Sequence, residues 1–184
     1  MILIAGFVCI CVFFAYNNLR YPLKYKEEII EISNRFNIEP SLVASIINAE
    51  SRFDKKAVSN KGAVGLMQLL PSTAKWVSNS LLKDGKNYEI EQLYSEKTNQ
   101  GELFDVETNI TLGTRYFLYL LTKFGNLKTA LCAYNAGEGT VQNWLKNKDF
   151  SKDGITVDNI PFRETEQYVN KVEKYLKVYK KKFS

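Results

Sequence analysis

The chain has no histidine among its 184 residues. A Ser-His-Asp or Cys-His nucleophile therefore cannot be assembled from it. Zinc held by histidines and haem on a histidine ligand are excluded on the same ground. Cysteine is scarce: Cys9 and Cys11 alternate inside an apolar run, and Cys132 sits in a helical stretch. They have no metal-ligand spacing and form no disulfide framework. Acid/base chemistry near neutral pH is left to a tuned carboxylate, lysine, tyrosine or cysteine. There are only 4 prolines and no repeat or low-complexity tract. Against these absences stand 45% hydrophobic, 24% charged and 13% aromatic residues, the composition of a globular chain. The length suits one domain with some residues to spare. The net charge of +5 comes from basic residues interleaved with acids. With no recognised nucleic-acid motif beside it, that charge implies no nucleic-acid partner.

Ile2 to Tyr16 carries no charge, and the uncharged stretch extends to Leu19 before Arg20 ends it. This is the short edge of a membrane-spanning length. No basic residue precedes the run and no small-x-small cleavage site follows it, so an uncleaved anchor is expected over residues 1–20. Residues 21–184 form the domain it tethers. Arg20, Lys24 and Lys26 on the downstream flank pull against an extracytoplasmic location. That location is nevertheless the expected one, on the strength of the motifs below.

Beyond Pro22 the apolar spacing is helical almost throughout. Ile29, Ile30, Ile32 and Phe36 mark a first helix, and Pro40 opens a second carrying Leu42, Val43, Ile46 and Ile47. Pro71 starts a third, and residues 79–104 read as a long surface loop. Asp105 to Phe124 reads as the longest helix, stopped by Gly125. Leu127 to Ala136 and a helix beginning at Thr140 follow, then a loop over 146–160. A last helix runs from about Glu164 into a solvated basic tail, Lys180-Lys181-Lys182. The expected fold is all-α, with room for a small hairpin at Gly62.

Glu50 is the anomaly. It follows Ile46 by four residues and Ile47 by three, which puts a carboxylate on the core stripe at a helix C-terminus. Desolvation and the negative end of the helix dipole both favour its protonated form. A carboxyl held protonated near neutral pH is what a general acid requires. A Glu capped by Arg52 or a nearby lysine is an equal alternative from position alone. Gly62-Ala63-Val64-Gly65-Leu66-Met67-Gln68 then offers a tight turn and an amide, though Leu66 and Met67 also read as plain core. Ala133-Tyr134-Asn135-Ala136-Gly137 places a phenol and an amide at a helix end. Glu164 and Tyr168, four apart, share a helix face, where a surface Glu and a core Tyr would serve equally well.

Taken in order, these segments resemble the soluble lytic transglycosylase catalytic domain, a lysozyme-like fold acting on peptidoglycan. The resemblance runs from Glu50-Ser51-x-Phe53 and Ala57-x-Ser59 through Gly62-Ala63-x-Gly65-Leu66-Met67-Gln68-Leu69 and Pro71-x-Thr73-Ala74. It resumes at Asn109-Ile110-x-x-Gly113-x-x-Tyr116, Phe124-Gly125-Asn126 and Ala133-Tyr134-Asn135-Ala136-Gly137. It closes with Ile160-Pro161-Phe162-x-Glu164-Thr165 and Tyr168-Val169, and so spans about residues 24–180. Lys55 stands where the family often has proline, and Glu166 where it has arginine. The second departure bears on substrate contacts.

The resemblance implies that Glu50 is a single acid/base. It would protonate the β-1,4 glycosidic oxygen between N-acetylmuramic acid and N-acetylglucosamine, then take a proton from the muramic C6 hydroxyl. A 1,6-anhydro product results, without the second carboxylate of ordinary glycosidases. Ser59, Gln68, Tyr134, Asn135, Glu164 and Tyr168 become the expected substrate-binding residues. Neither metal nor cofactor is implied. The implied partners are peptidoglycan strands, the membrane through the N-terminal segment, and room for a partner in the cell-wall machinery. Two other readings keep the same fold: a goose-lysozyme-like muramidase using a second carboxylate such as Asp54 or Glu138, and a non-catalytic wall-binding module.

Overall fold

The computed structural model describes residue 12 and residues 16–83 and 101–184, with the side chains of 80–83 excepted. Its elements are α1 (Lys26–Arg35), α2 (Pro40–Glu50), α3 (Pro71–Lys83), a 3-10 turn (Glu102–Phe104), α4 (Val106–Phe124), α5 (Leu127–Ala136), α6 (Glu138–Leu145) and α7 (Arg163–Phe183). Among the described residues the fold is helical, and β pairing is confined to two isolated antiparallel bridges, Val58 with Val64 and Val64 with Leu69. The hairpin expected at Gly62 is thus a pair of bridges.

Helix α2 is the axis of the domain. Pro40 occupies its first turn, where a missing N–H costs nothing, and Ser41 to Asn48 are all buried. A helix apolar on nearly every side needs neighbours on nearly every side. Its main partner is α7, and α1 packs beside it. The face of α7 is a strict stripe of Tyr168, Val169, Val172, Tyr175 and Tyr179, all buried. At 21 residues α7 exceeds α4, at 19, so among the described residues the longest helix is the last one. α4 begins with an N-cap, Asp105 accepting from the Thr108 amide, and ends at Gly125 in the left-handed region.

Two expectations change here, and one lies outside the described residues. The basic tail is only partly solvated: Lys180 and Lys181 are exposed, but the Lys182 ammonium donates to the Tyr21 carbonyl. Tyr179 donates to the Pro22 carbonyl, so the end of α7 is clamped onto the segment entering the domain. Helix α3 runs to Lys83, and Leu103, placed by the sequence reading in a surface loop, is fully buried. It packs with Val64, Leu69 and Leu112 in a second small core. Finally, the anchor expected over 1–20 lies mostly outside the described residues. Among the described residues no helix is long and apolar enough to cross a membrane.

Candidate active site

Glu50 ends α2, and the chain turns at once. Arg52 and Phe53 both take positive φ, at 53° and 62°. Each such residue costs on the order of 1–3 kcal/mol. Burying Phe53 to 1% exposure offsets this, at roughly 1.5–3 kcal/mol for a large apolar side chain. Its ring packs 6.1 Å from that of Tyr179 on α7. Ser51 ties the same turn to the next loop by donating to the Leu66 carbonyl at 2.8 Å.

That loop, residues 57–70, forms one wall of the site, and α4 holds it in place. The Asn109 side-chain oxygen accepts from the Met67 amide at 2.8 Å, while its Nδ2 donates to the carbonyls of Val64 at 3.0 Å and Leu103 at 2.8 Å. The glycines permit this approach. A Cβ on Gly65 would sit 2.3 Å from Asn109 Nδ2, and one on Gly113 would sit 2.5 Å from Met67 Sδ. Gly65 also has φ +77°, which disfavours any side chain.

Together these elements enclose a cavity of about 620 Å³, within the range of ligand sites. Glu50 lines it, as do Ser59, Gln68, Tyr134, Asn135 and Glu164. Tyr168 does not. It is 5% exposed and packs in the main core beside Glu50. Its hydroxyl is buried and completes no hydrogen bond, yet it stands near enough to Glu50 to favour the charged carboxylate.

Burial is the main influence on Glu50 and pushes its carboxyl up to about 7. Tyr168 and the charge of Lys171 oppose that rise, and the charge of Glu164 adds to it. The two phenols around Glu50 are pushed well above their ordinary range, first by burial and then by the carboxylate itself. The site therefore holds a carboxyl that gives and takes a proton near neutrality, among tyrosines that stay protonated.

Most of the other lining groups are already committed to the protein. Tyr134 donates to the Met67 carbonyl at 2.8 Å, leaving its oxygen to accept. Gln68 Nε2 donates to the carbonyls of Ala57 at 3.2 Å and Gly65 at 2.9 Å, so the amide oxygen is what it can offer a ligand. Ser59 Oγ accepts from the Ala63 amide at 3.0 Å. Thr165 donates to Asn135 Oδ1 at 2.7 Å, which leaves the Asn135 NH₂ to donate. Glu164 is exposed in the first turn of α7.

Sequence reasoning passed over Asn60, Lys61, Thr73 and Tyr116, which also line the cavity. Tyr116 stood in a quoted motif without a role. Of the two acids weighed as partners to Glu50, Asp54 caps the Lys56 amide and Glu138 pairs with Lys123, and neither lines the cavity. Glu166, the departure from the family pattern, is exposed in the first turn of α7 and does not line the cavity.

The family model described as Transglycosylase SLT domain matches residues 27–156. The chain belongs to this family. It is 37% identical over 158 residues to the soluble lytic murein transglycosylase of Escherichia coli K12, covering 85% of this chain and 23% of that protein. It is 32% identical over 126 residues to the membrane-bound lytic murein transglycosylase C of Edwardsiella ictaluri, covering 64% of this chain and 32% of that protein. Among solved structures, an inactive mutant of the lytic transglycosylase Slt of Pseudomonas aeruginosa superposes with TM-score 0.72 at 32% identity, over 91% of this chain and 25% of that one. The 70 kDa soluble lytic transglycosylase of Escherichia coli gives 0.71 at 32% identity, over 89% of this chain and 25% of that one. A complex of the 70-kDa soluble lytic transglycosylase with bulgecin A gives 0.69 at 32% identity, over 89% of this chain and 25% of that one. The chain thus spans about a quarter of the length of these soluble relatives, and the SLT domain is the part they share.

Proposed function

We propose that this SLT-family chain is a peptidoglycan lytic transglycosylase with Glu50 as its single acid/base. The observation carrying this reading is a half-buried carboxyl opening on a cavity of about 620 Å³, with desolvation pushing it up to about 7. Protonated, Glu50 donates to the glycosidic oxygen as the muramic C1–O bond breaks. As carboxylate, it takes the proton of the muramic C6 hydroxyl as that oxygen bonds to C1. The leaving sugar keeps the first proton, Glu50 ends protonated, and a 1,6-anhydro ring closes without water. Placing donor and acceptor roles on one group suits a pKa near the working pH.

The committed side chains support this economy. Tyr134 and Gln68 are held by backbone carbonyls, so their remaining acceptor oxygens face a ligand without reorganisation. Asn135 and Glu164 add a donor and an acceptor, and Ser59 a hydroxyl in the loop wall. Tyr168 acts through Glu50 and not on the sugar. Residues 1–20 serve as a membrane anchor and residues 21–184 as the catalytic domain on the extracytoplasmic side. The similarity to a membrane-bound relative supports that placement.

A muramidase would need a second carboxylate able to hold a water across the cavity. Glu164 is the acid that lines the cavity with Glu50. Mass spectrometry of muropeptides released from purified peptidoglycan separates the two reactions. Anhydro-muramic products, lighter by one water, are expected. Reducing-end products would reassign the chain as a hydrolase, and no products from folded protein would favour a wall-binding module.

A further inference from the structure

A polysaccharide strand is longer than a cavity of about 620 Å³ can enclose, so it must leave across the rim. On the Tyr116 side the rim continues as a row of rings that the proposed chemistry does not use. Tyr134 lies 5.5 Å from Tyr116, and Tyr116 lies 6.5 Å from Tyr119 with the planes only 18° apart. Trp76 of α3 then meets Tyr119 edge-on at 4.8 Å and Tyr116 at 6.3 Å. Trp76 is 45% exposed, whereas the other tryptophan, Trp144, is 6% exposed. A half-wet indole continuous with a cavity wall is not what core packing requires.

Polar groups flank these rings. The Lys123 ammonium sits 5.6 Å from the centre of the Tyr119 ring, donates to the Tyr119 hydroxyl at 3.3 Å and pairs with Glu138. Tyr119 is thereby fixed from one side. A pyranose presents C–H groups on its face and hydroxyls at its edge. That combination matches an aromatic platform bordered by an ammonium–carboxylate pair, and a charged or purely apolar ligand matches it less well. We propose that Trp76 and Tyr119 form an outlying glycan subsite that receives a sugar of the strand as it leaves the cavity past Tyr116. The proposal deepens the peptidoglycan reading and rests on it for the identity of the polysaccharide.

The test is equilibrium binding of long peptide-free glycan strands and of a tetrasaccharide to the full chain carrying Glu50→Gln, so that the ligand is not consumed. Long strands are expected to bind about ten-fold tighter than the tetrasaccharide. Trp76→Ala or Tyr119→Ala should abolish that advantage. Indole emission gives a readout that leaves both rings of the platform intact. With Trp144→Phe, Trp76 is the only remaining tryptophan, and its emission should respond to long strands alone. The subsite is overturned if the variants keep the long-strand advantage and the emission stays unchanged. It is equally overturned if the advantage requires stem peptides, since the occupant is then peptide. If long strands bind no better than the tetrasaccharide to the parent chain, the subsite falls and the peptidoglycan reading survives. If neither binds, both fall.

Discussion

The floor and the rim of the cavity are built by opposite rules. At the floor, Glu50 and Tyr134 meet between α2 and α5, with Tyr168 of α7 packed in the core beside them, and desolvation pushes one carboxyl up to about 7. At the rim, Glu164, Trp76 and Lys61 are exposed. The same functional group, a glutamate carboxyl, therefore stands in two environments within one site. The floor supplies reactivity, because desolvation changes what a group does. The rim supplies contact area, because exposed side chains can meet a long substrate without changing their own chemistry. Stability follows the same division. The floor carries the positive-φ turn and the desolvated acid, whose costs are met by the packing of α2 on α7.

The sharpest way to break the comparison is Glu50→Gln. Loss of lysis of purified peptidoglycan by several orders of magnitude is expected, with the fold unchanged by circular dichroism. The same variant has a pH signature. The folded Glu50 carboxyl, at about 7, lies above its ordinary value of 4.5. Its burial is tolerated fully below pH 4.5 and becomes destabilising as pH rises through 7. Ionisation there costs up to about 3 kcal/mol. Chemical denaturation should find Glu50→Gln more stable than the wild type at pH 8 and not at pH 4.

Next in size is Asn109→Ala, which strips three hydrogen bonds from the loop wall and takes the partner from the Met67 amide and the Leu103 carbonyl, while the Val64 carbonyl keeps the Leu69 amide. A loss of roughly 2–4 kcal/mol is expected by urea denaturation, with catalysis falling because Gln68 and Met67 shift. Two smaller changes sharpen the contrast by pushing in opposite directions. Tyr168→Phe removes a group that favours the charged Glu50, so the alkaline limb of the pH–rate profile should move up. Glu164→Gln removes a charge that raises Glu50, so that limb should move down. If Glu164 held a hydrolytic water instead, Glu164→Gln would abolish turnover rather than shift its profile.

Much of the floor was legible in the chain itself. Glu50 stood out because a carboxylate on an apolar helical stripe violates the pattern around it. The stop at Gly125 is local, and local chemistry is readable. Partners far apart in sequence were not. Asn109 grips the loop across 42 residues, and no periodicity signals an amide aimed at backbone. Tyr168 was expected at a sugar from the family resemblance, while its place on the helix also read as core, and its side chain is 5% exposed. Trp76 and Tyr119 belong to different helices, and their pairing exists only once α3 packs on α4. Leu103 was lost to a polar surround that hid a buried 3-10 turn.

The central claim is that the floor holds one glutamic acid protonated to near neutrality, and carbon-detected titration of the side-chain carboxyls tests it directly. One glutamate resonance should titrate near pH 7 in the wild type and be missing from Glu50→Gln. If every carboxyl finishes titrating below about pH 5, the ordinary range for exposed acids, Glu50 is not the tuned acid and the account fails.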